Sequence, residues 1–400
     1  NLNGTTLGFR WSQITGLNSE FNVNVNYDYS DRKELKFSEK RDTFDLDFQH
    51  KMMPIDNHEL VWGAGYRLSY NDFISGGFIS IEDPEEKMEI WNFFIQDEID
   101  FPEVDVTVTL GTKIEGNSYA DTELQPSLRA RWVPSEQLTW WWAISRATRT
   151  PSRIETSSVT NVDIIPPFAL DAGIPFPTLV QLQGQESYKT EKVDTYESGL
   201  RWMPTSELAL DVSFFYNDYT QLRSYAIGTP SVQFIDDHPL MIVPLLLENN
   251  VVGKTKGAEL LLTWQASFNA KFRFSYSLLD EKLKDTQPNA YNDSLLSLVE
   301  DRSPNNQASL WGSFDLSSEV ELDVRLFYVD ERPFQFVNTE PVRSNLNADF
   351  RLAWYPSNTV ELSLVGRNLL YSSRQEFVIE TWPAASQIER SVFAKIKLDW

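Results

Sequence analysis

The sequence predicts an all-β protein, an antiparallel transmembrane β-barrel, on three observations. Apolar and polar residues alternate through many long segments, which is typical of strands with one apolar and one polar face. Aromatic residues make up 13% of a chain whose mean hydropathy is only −0.36. Short turns also alternate with long loops along the chain, as they do in bacterial outer-membrane barrels.

The alternation is clearest after Glu207. One face carries Leu208, Leu210, Val212, Phe214 and Tyr216, while Ala209, Asp211, Ser213 and Asn217 lie on the other. The pattern recurs at 21–29, 268–276 and 320–328. Many of these runs exceed the about 9 to 11 residues of a tilted membrane strand, whereas strands of soluble proteins average about 5 to 6. The charges on the polar face predict a wet lumen.

Three short turns lie in near-repeats of one pattern. They read R-W-V-P-S-E-Q-L from Arg131, R-W-M-P-T-S-E-L from Arg201 and A-W-Y-P-S-N-T-V from Ala353. Each places a tryptophan before a tight proline turn, and tryptophan is enriched at membrane interfaces. We therefore predict membrane-interface aromatics at Trp132, Trp202, Trp354 and the terminal Trp400.

Longer linkers lie between the short turns, at 72–86, 151–188, 224–248, 281–300 and 372–386. In outer-membrane barrels short turns are periplasmic and long loops extracellular, so this asymmetry predicts the direction of every strand. The count is about 17 strands, from one near 5–14 to one near 390–400, whereas single-chain bacterial barrels have even numbers. The odd number means either that strands of the barrel are missing from this chain or that one of the predicted strand boundaries is wrong.

Composition excludes several classes of function. With no cysteine, the chain has neither disulfides nor thiolate metal sites. A net charge of −23 argues against nucleic acid as a partner. His50, His58 and His238 lie in unrelated places with no H-E-x-x-H pairing, and no glycine-rich phosphate loop is present. We expect no enzyme activity, no catalytic residues, no bound metal and no cofactor.

Charged clusters suggest candidate binding residues. Arg146, Arg149 and Arg153 recur every three or four residues near a strand end, where they could contact lipopolysaccharide phosphates or an anionic ligand. The alternative is that they pair with nearby loop carboxylates. A second cluster could hold a divalent cation or form a solvated loop; it comprises Glu82, Asp83, Glu85, Glu86 and Glu89.

Two apolar stretches, 164–177 and 239–247, are unusual for exposed loops. Large exposed apolar patches often mark contact sites. The two stretches either fold over the barrel mouth and contact a ligand or partner, or pack against one another. Tyr225, Phe234 and Phe336 are candidate aromatic residues of the vestibule.

Several segments together resemble the TonB-dependent receptors. Three successive strands of that family are similar to F-I-Q-D-E-I at 94–99, L-G-T-K-I-E at 110–115 and L-Q-P-S-L-R-A-R-W at 124–132. S-R-A-T-R-T-P-S-R-I-E at 145–155 resembles the family's entry into a long external loop. The resemblance continues at 189–202, 253–260, 302–310, 364–370 and 390–400.

The resemblance implies that residues 1–400 are the carboxyl-terminal part of a barrel of about 22 strands, with the plug domain and about five strands absent. It implies uptake of a scarce ligand, most often a ferric siderophore or related iron complex, across the outer membrane of a Gram-negative bacterium. The expected partners are outer-membrane lipid and lipopolysaccharide, the TonB complex through the absent plug segment, and a small-molecule metal complex. We expect a monomer.

Two alternatives remain open at this point. A passive porin of about 16 or 18 strands would suit the length of the chain. A soluble all-β carbohydrate-binding or adhesive protein, such as a propeller, would require strands of about 5 to 6 residues and four-strand repeats, which the sequence does not show.

Overall fold

The computed structural model describes residues 1–16, 18–34, 37–169, 173–288, 296, 299–300, 302–332, 341–376 and 387–398. Strands dominate the described residues, together with a short 3-10 helix at Pro102–Val104 and a helix α1 at Arg153–Ser157. The strands are β1 (Leu2–Ile14), β2 (Ser19–Lys33), β3 (Ser38–Met52), β4 (His58–Ile74), β5 (Ile79–Ile81), β6 (Glu85–Phe101), β7 (Val106–Asn117), β8 (Ala120–Ser135), β9 (Leu138–Arg149), β10 (Ser158–Ile165), β11 (Thr178–Gln183), β12 (Glu191–Thr205), β13 (Leu208–Ile227), β14 (Ser231–Ile235), β15 (His238–Ser267), β16 (Ala270–Asp285), β17 (Asn306–Ser317), β18 (Val320–Val329), β19 (Asn345–Ser357), β20 (Val360–Arg367), β21 (Ser373–Gln375), β22 (Gln387–Glu389) and β23 (Ser391–Leu398).

Seventeen of these strands form one continuous antiparallel ladder, which we call the wall. Its order is β1, β2, β3, β4, β6, β7, β8, β9, β12, β13, β15, β16, β17, β18, β19, β20 and β23. Successive wall strands are nearest neighbours, as in up-and-down barrels. The predicted all-β antiparallel fold is confirmed. The wall has the 17 strands expected, and four further strands, β5, β10, β11 and β14, extend the sheet to 21.

The wall has one apolar and one polar face because side chains alternate across each strand. The register places Leu210, Leu262 and Phe274 side by side on one face, while Asp211, Thr263 and Arg273 lie on the other. The same division holds across β18 and β19, where Leu322 pairs with Leu352 and Asp323 with Arg351. The apolar face suits lipid and the polar face an aqueous lumen.

One end of the wall consists of tight turns, and the three near-repeats are structurally equivalent there. In each, the ladder shifts register at the proline, between Trp132 and Ser135, Trp202 and Thr205, and Trp354 and Ser357. A proline has no amide to donate, so it fits at such a bulge. The strands continue past the prolines, and the turns therefore lie about two residues later than the motifs predict.

The opposite end carries the long loops, with two exceptions. Strands β7 and β8 are joined there by Ser118 and Tyr119 alone, and β2 and β3 by residues 34–37. The expectation of a loop over 224–248 was wrong, because β13, β14 and the first part of β15 occupy it. Pro239 and Pro244 both lie within this part of β15, and the Pro244 carbonyl accepts a hydrogen bond from the Gly228 amide.

A second set of elements covers part of this end. We call it the mouth layer, and it comprises β5, α1, β10, β11, β14 and residues 238–248 of β15. Within it β5 pairs with β10, β10 with β11, and β11 runs parallel to β15. The wall route from β6 to β15 crosses six strand spacings, about 29 Å, whereas the mouth layer joins β5 to β15 in three, about 14 Å. The mouth layer therefore provides a second connection between β5 and β15, beside the route along the wall.

The two ends of the ladder are β1 and β23. Every residue of both strands is exposed, and no pairing between them is present in the described part of the chain. The expected number of further strands stays a prediction. Among the described residues, no helix has the length and apolar character needed to cross a bilayer.

Candidate functional site: the mouth of the wall

Most of the buried apolar residues in the described part of the chain lie at the mouth, whereas most wall residues are at least partly exposed on one face or the other. Phe73, Ile79 and Ile81 are buried together, with Phe37 and Phe78 packed against them. The Phe37 and Phe73 rings stack with centroids 5.4 Å apart. This cluster joins β4, β5 and the segment before β3, so the loops on this side are packed rather than free.

The apolar stretch 239–247 forms the other half of the core. Ile242, Leu245 and Leu247 are buried, and the Met241 amide donates to the Pro177 carbonyl at 3.0 Å. Residues 178–183 pair with 241–246, directly after the proline-rich stretch 164–177. The structure therefore packs the second apolar stretch against the segment that follows the first.

Arg149 ties the mouth layer to the wall. Its guanidinium donates two hydrogen bonds of 2.7 Å to Glu191 at the start of β12, and bonds of 2.7 and 3.0 Å to Glu155 in α1. Tyr188 donates to Glu191 at 3.0 Å, and the Arg223 amide also donates to that carboxylate. Bidentate arginine–carboxylate pairs are among the strongest polar contacts in proteins. We call Arg149, Glu155, Tyr188 and Glu191 the mouth network.

Burial and charge shift the pKa values within the mouth network. Burial raises the pKa of Glu155, but hydrogen bonds from Arg149 and from the Ser152 amide outweigh it, and the net pKa is lowered. Burial and the carboxylates of Glu191 and Glu155 raise the pKa of Tyr188. At neutral pH Glu155 is therefore ionised and Tyr188 is protonated, which keeps all these hydrogen bonds in place.

The three predicted arginines do not converge on one site. Arg149 lies on the polar face, whereas Arg146, three residues earlier, lies on the apolar face and makes a bidentate pair with Asp194. Arg153 begins α1 and forms an ion pair with Glu86 of β6. Each is paired with a carboxylate, as the alternative interpretation has it. Their role in ligand binding stays a prediction.

The predicted acidic cluster is divided between ion pairs. Glu86 contacts Arg153, and Glu89 contacts Lys87 at 2.8 Å and accepts a hydrogen bond from Tyr66. Within the described part of the chain no group of acidic or histidine side chains has the arrangement of a metal site. The described carboxylates therefore give no support to a divalent-cation site here.

The predicted aromatic residues are spread over the two ends. Tyr225 is half-buried opposite Leu247, and Phe234 is 72% exposed in β14. Trp132, Trp202 and Trp354 lie on the apolar face at the short-turn end, as an interface position requires. Phe336 and Trp400 lie outside the described residues. The interface and vestibule roles stay predictions.

Sequence reasoning missed most of the mouth network. Glu155 follows Ser152 by three residues, and S-x-x-E is the pattern of a helix capping box. The structure shows the Ser152 amide and hydroxyl both donating to Glu155. Asn249 was also missed; its amide group bonds to the Lys189 and Gln221 carbonyls, but no local motif marks it.

A recess of about 770 Å³ lies against the wall. Its lining on the polar face includes Trp141, Arg201, Asp211, Glu259 and Phe327. Gly199 allows Trp141 to lie against the wall, since a Cβ there would come within 2.4 Å of the indole. The volume is within the range of small-molecule sites. Aromatic and charged groups of this kind can bind and orient a ligand.

Comparisons with known proteins agree with this architecture. The family model for "TonB dependent receptor-like, beta-barrel" matches residues 1–369. A search of the curated proteins finds no match. Among solved structures, the siderophore receptor PirA of Acinetobacter baumannii is similar with a TM-score of 0.74 at 13% identity, over 99% of this chain and 62% of that one.

Two further solved structures are similar. A mutant of the ferric enterobactin receptor PfeA of Pseudomonas aeruginosa gives a TM-score of 0.75 at 13% identity, over 99% of this chain and 61% of that one. The outer membrane transporter YddB of Escherichia coli gives 0.65 at 11%, over 99% and 62%. The chain thus spans about three fifths of the length of these proteins, which share its fold.

Proposed function

The chain belongs to the TonB-dependent receptor family, and on this premise we propose that it forms the barrel wall of an outer-membrane receptor for energy-coupled uptake of a ferric siderophore or related iron complex. The family match over residues 1–369 is the observation that carries the proposal. It favours a gated receptor over a passive porin or a soluble carbohydrate-binding protein.

The ligand class rests on the mouth and on the similar structures. Two of the similar solved structures are named as siderophore or ferric enterobactin receptors. The packed mouth layer provides a fixed surface at one end of the wall, and the recess against the wall has room for a small molecule. The chemistry is binding and gating, with no covalent step.

The charge of the mouth bears on which iron complex fits. Arg146, Arg149 and Arg153 are all engaged by carboxylates, and the chain as a whole carries a net charge of −23. An acidic surface disfavours a strongly anionic ligand. We propose a ferric complex of low negative charge, bound among the loops of the mouth.

The partners follow from the family. TonB would act through a plug segment of the whole protein, and energy supplied through it would rearrange the plug to admit the ligand. Outer-membrane lipid, including lipopolysaccharide, would surround the apolar face of a monomeric barrel in a Gram-negative bacterium.

Equilibrium binding to the purified full-length receptor tests the ligand class. Quenching of tryptophan fluorescence would be measured with a ferric hydroxamate, a ferric tris-catecholate, haem and cobalamin. We expect one ferric siderophore to bind at least about 100-fold more tightly than haem or cobalamin. Preferential binding of cobalamin or haem would contradict the iron-siderophore proposal while leaving the receptor family intact.

A further inference from the structure

Four lysines lie together on the apolar face of two adjacent wall strands. In the β15–β16 register, Lys254 lies opposite Lys282 and Lys256 opposite Asp280, while Lys284 lies opposite Val252. The next pairs down the same face are Ala258 with Leu278 and Leu260 with Tyr276. All four lysines are exposed. We call Lys254, Lys256, Lys282 and Lys284 the lysine patch.

The lysine patch lies where an outer leaflet would place its headgroups. Trp264 and Phe272 stack at the short-turn end of the same face, with ring centroids 5.8 Å apart. Phe272 and Lys282 are ten residues apart along β16, about 33 Å of strand or about 25 Å along the membrane normal at the usual tilt. The apolar band of an outer-membrane barrel is about 25 Å tall. The lysine patch therefore lies at the height where the apolar band of such a barrel ends.

The charges of the patch are incompletely compensated within the described structure. Lys256 lies 3.3 Å from Asp280, and Asp218 lies opposite Lys254 in the β13–β15 register. Lys282 and Lys284 form no ion pair among the described residues. Like charges directly opposite each other on neighbouring strands are destabilising. In a chain with 35 basic and 58 acidic residues, such a group calls for an external anion.

We propose that the lysine patch binds the phosphate groups of lipopolysaccharide in the outer leaflet. Paired residues on adjacent strands lie about 5 Å apart at Cβ, and residues two apart along a strand about 7 Å. Lysine side chains are long and flexible enough for several ammonium groups to reach one phosphate from these positions. The apolar residues directly below the patch would contact the acyl chains. The inference rests on the outer-membrane location in the proposed function but not on the identity of the transported ligand.

A matched control pair of lysines lies on the same face of the wall but on other strands, β3 and β6. Lys40 and Lys87 are also exposed on the apolar face near the mouth, but Lys40 lies opposite Asp72 and Lys87 is 2.8 Å from Glu89. Lys40→Gln/Lys87→Gln removes the same charge as Lys254→Gln/Lys282→Gln, but both control lysines face a carboxylate. In the patch Lys254 faces Asp218, whereas Lys282 faces Lys254 and forms no ion pair among the described residues. Lys254→Arg/Lys282→Arg keeps the charge of the patch.

The test measures binding of bis-phosphorylated lipid A to the purified full-length receptor in neutral detergent. Each surface lysine is worth roughly a tenfold factor or less, so Lys254→Gln/Lys282→Gln is expected to weaken binding about 10- to 30-fold. The arginine variant and the Lys40→Gln/Lys87→Gln control are expected to bind like the wild type, and added salt to weaken wild-type binding.

Three outcomes would overturn the inference: equal binding by the wild type and Lys254→Gln/Lys282→Gln, equal binding of dephosphorylated lipid A, or full competition by inorganic phosphate at concentrations comparable to the lipid. The last outcome would show a free-phosphate site rather than a lipid site. Uptake of the iron complex is read separately, so its failure would affect the proposed function and leave the lipid measurement interpretable.

Discussion

Two arginine networks at opposite ends of the polar face use the same chemistry for different tasks. At the mouth, Arg149 binds Glu155 and Glu191, with Tyr188 beside them. Towards the short-turn end, Arg351 binds Glu321, Asp323 and Glu361, with Tyr355 beside them. We call this second group the wall network.

The difference lies in what each network connects. The wall network joins β18, β19 and β20, which the ladder already holds together. The mouth network instead joins two wall strands to α1, which has no ladder hydrogen bonds of its own. Removing Arg149 should therefore release a segment, whereas removing Arg351 should leave three carboxylates without their counter-charge inside an intact wall.

The largest expected effect is that of Arg149→Ala. Glu155 has a side chain only 6% exposed, and loss of its partner should cost the attachment of the mouth layer about 3 kcal/mol, with Arg149 itself half-exposed. Protease cleavage within 150–190 should become fast, and ligand affinity should fall on the order of 10- to 100-fold. Unfolding of the wall in urea should barely change.

Arg149→Lys sharpens this prediction, since lysine keeps the charge but cannot make the two bidentate pairs. Arg149→Lys should retain less than half of the protection against protease that Arg149→Ala loses at 150–190. Wild-type protection of 150–190 in Arg149→Ala would show that the mouth layer is held by its apolar core alone.

Arg351→Ala should affect the wall near its short-turn end and leave the mouth layer unchanged. It should lower the free energy of unfolding of the wall by about 1 to 2 kcal/mol, because three carboxylates are left to repel one another in a partly wet lumen. Urea unfolding in lipid vesicles measures this, and protease protection at 150–190 should be unchanged. Adding Glu321→Gln should recover part of the loss, and no recovery would exclude charge repulsion as the cause.

The pH dependence of the mouth network follows from Glu155. Its lowered pKa means that its stabilising contribution is fully present above the ordinary glutamate value, about 4.3, and is lost as the pH falls through the folded-state value. Protease protection at 150–190 should be flat from pH 8 to pH 5, within about twofold, and should then decline. Glu155→Gln should remove the decline, and a decline centred near pH 6 would point to another group.

The smallest effect is expected for Arg146→Ala. Arg146 and Asp194 form a bidentate pair like those at Arg149, but both side chains are well exposed, 43% and 38%. Exposed pairs contribute about 0.2 to 1 kcal/mol. Neither protease protection nor ligand affinity should change more than about threefold. A loss of protection or affinity as large as that in Arg149→Ala would mean that solvent exposure does not explain the difference between the Arg146–Asp194 pair and the Arg149 pairs.

The wall could be predicted from the sequence because its signal is local. Alternation of residues such as Leu210 and Asp211 fixes which face each side chain occupies, and the Trp–Pro repeats fix the turns to within about two residues. The end strands, expected near 5–14 and 390–400, are Leu2–Ile14 and Ser391–Leu398.

The mouth could be predicted only in part because its contacts are long-range. The parallel pairing of Leu182 with Leu245 leaves no periodic signal in either segment. Prolines 239 and 244 favour a loop locally, but burial of Ile242 and Leu247 outweighs that preference. The type and spacing of the arginines near a strand end identified Arg149. Its partners Glu155 and Glu191 could not be predicted, because Glu191 is brought beside it only by the return of the chain after a long loop.

Energy-coupled uptake of a ferric siderophore can be measured in living cells. Iron-starved cells producing the full-length receptor would be given a radiolabelled ferric siderophore, in otherwise identical strains with and without functional TonB. Surface binding is expected in both strains, but saturable accumulation only in the strain with functional TonB. Equal accumulation without TonB, rising linearly with concentration, would contradict it and identify a passive channel.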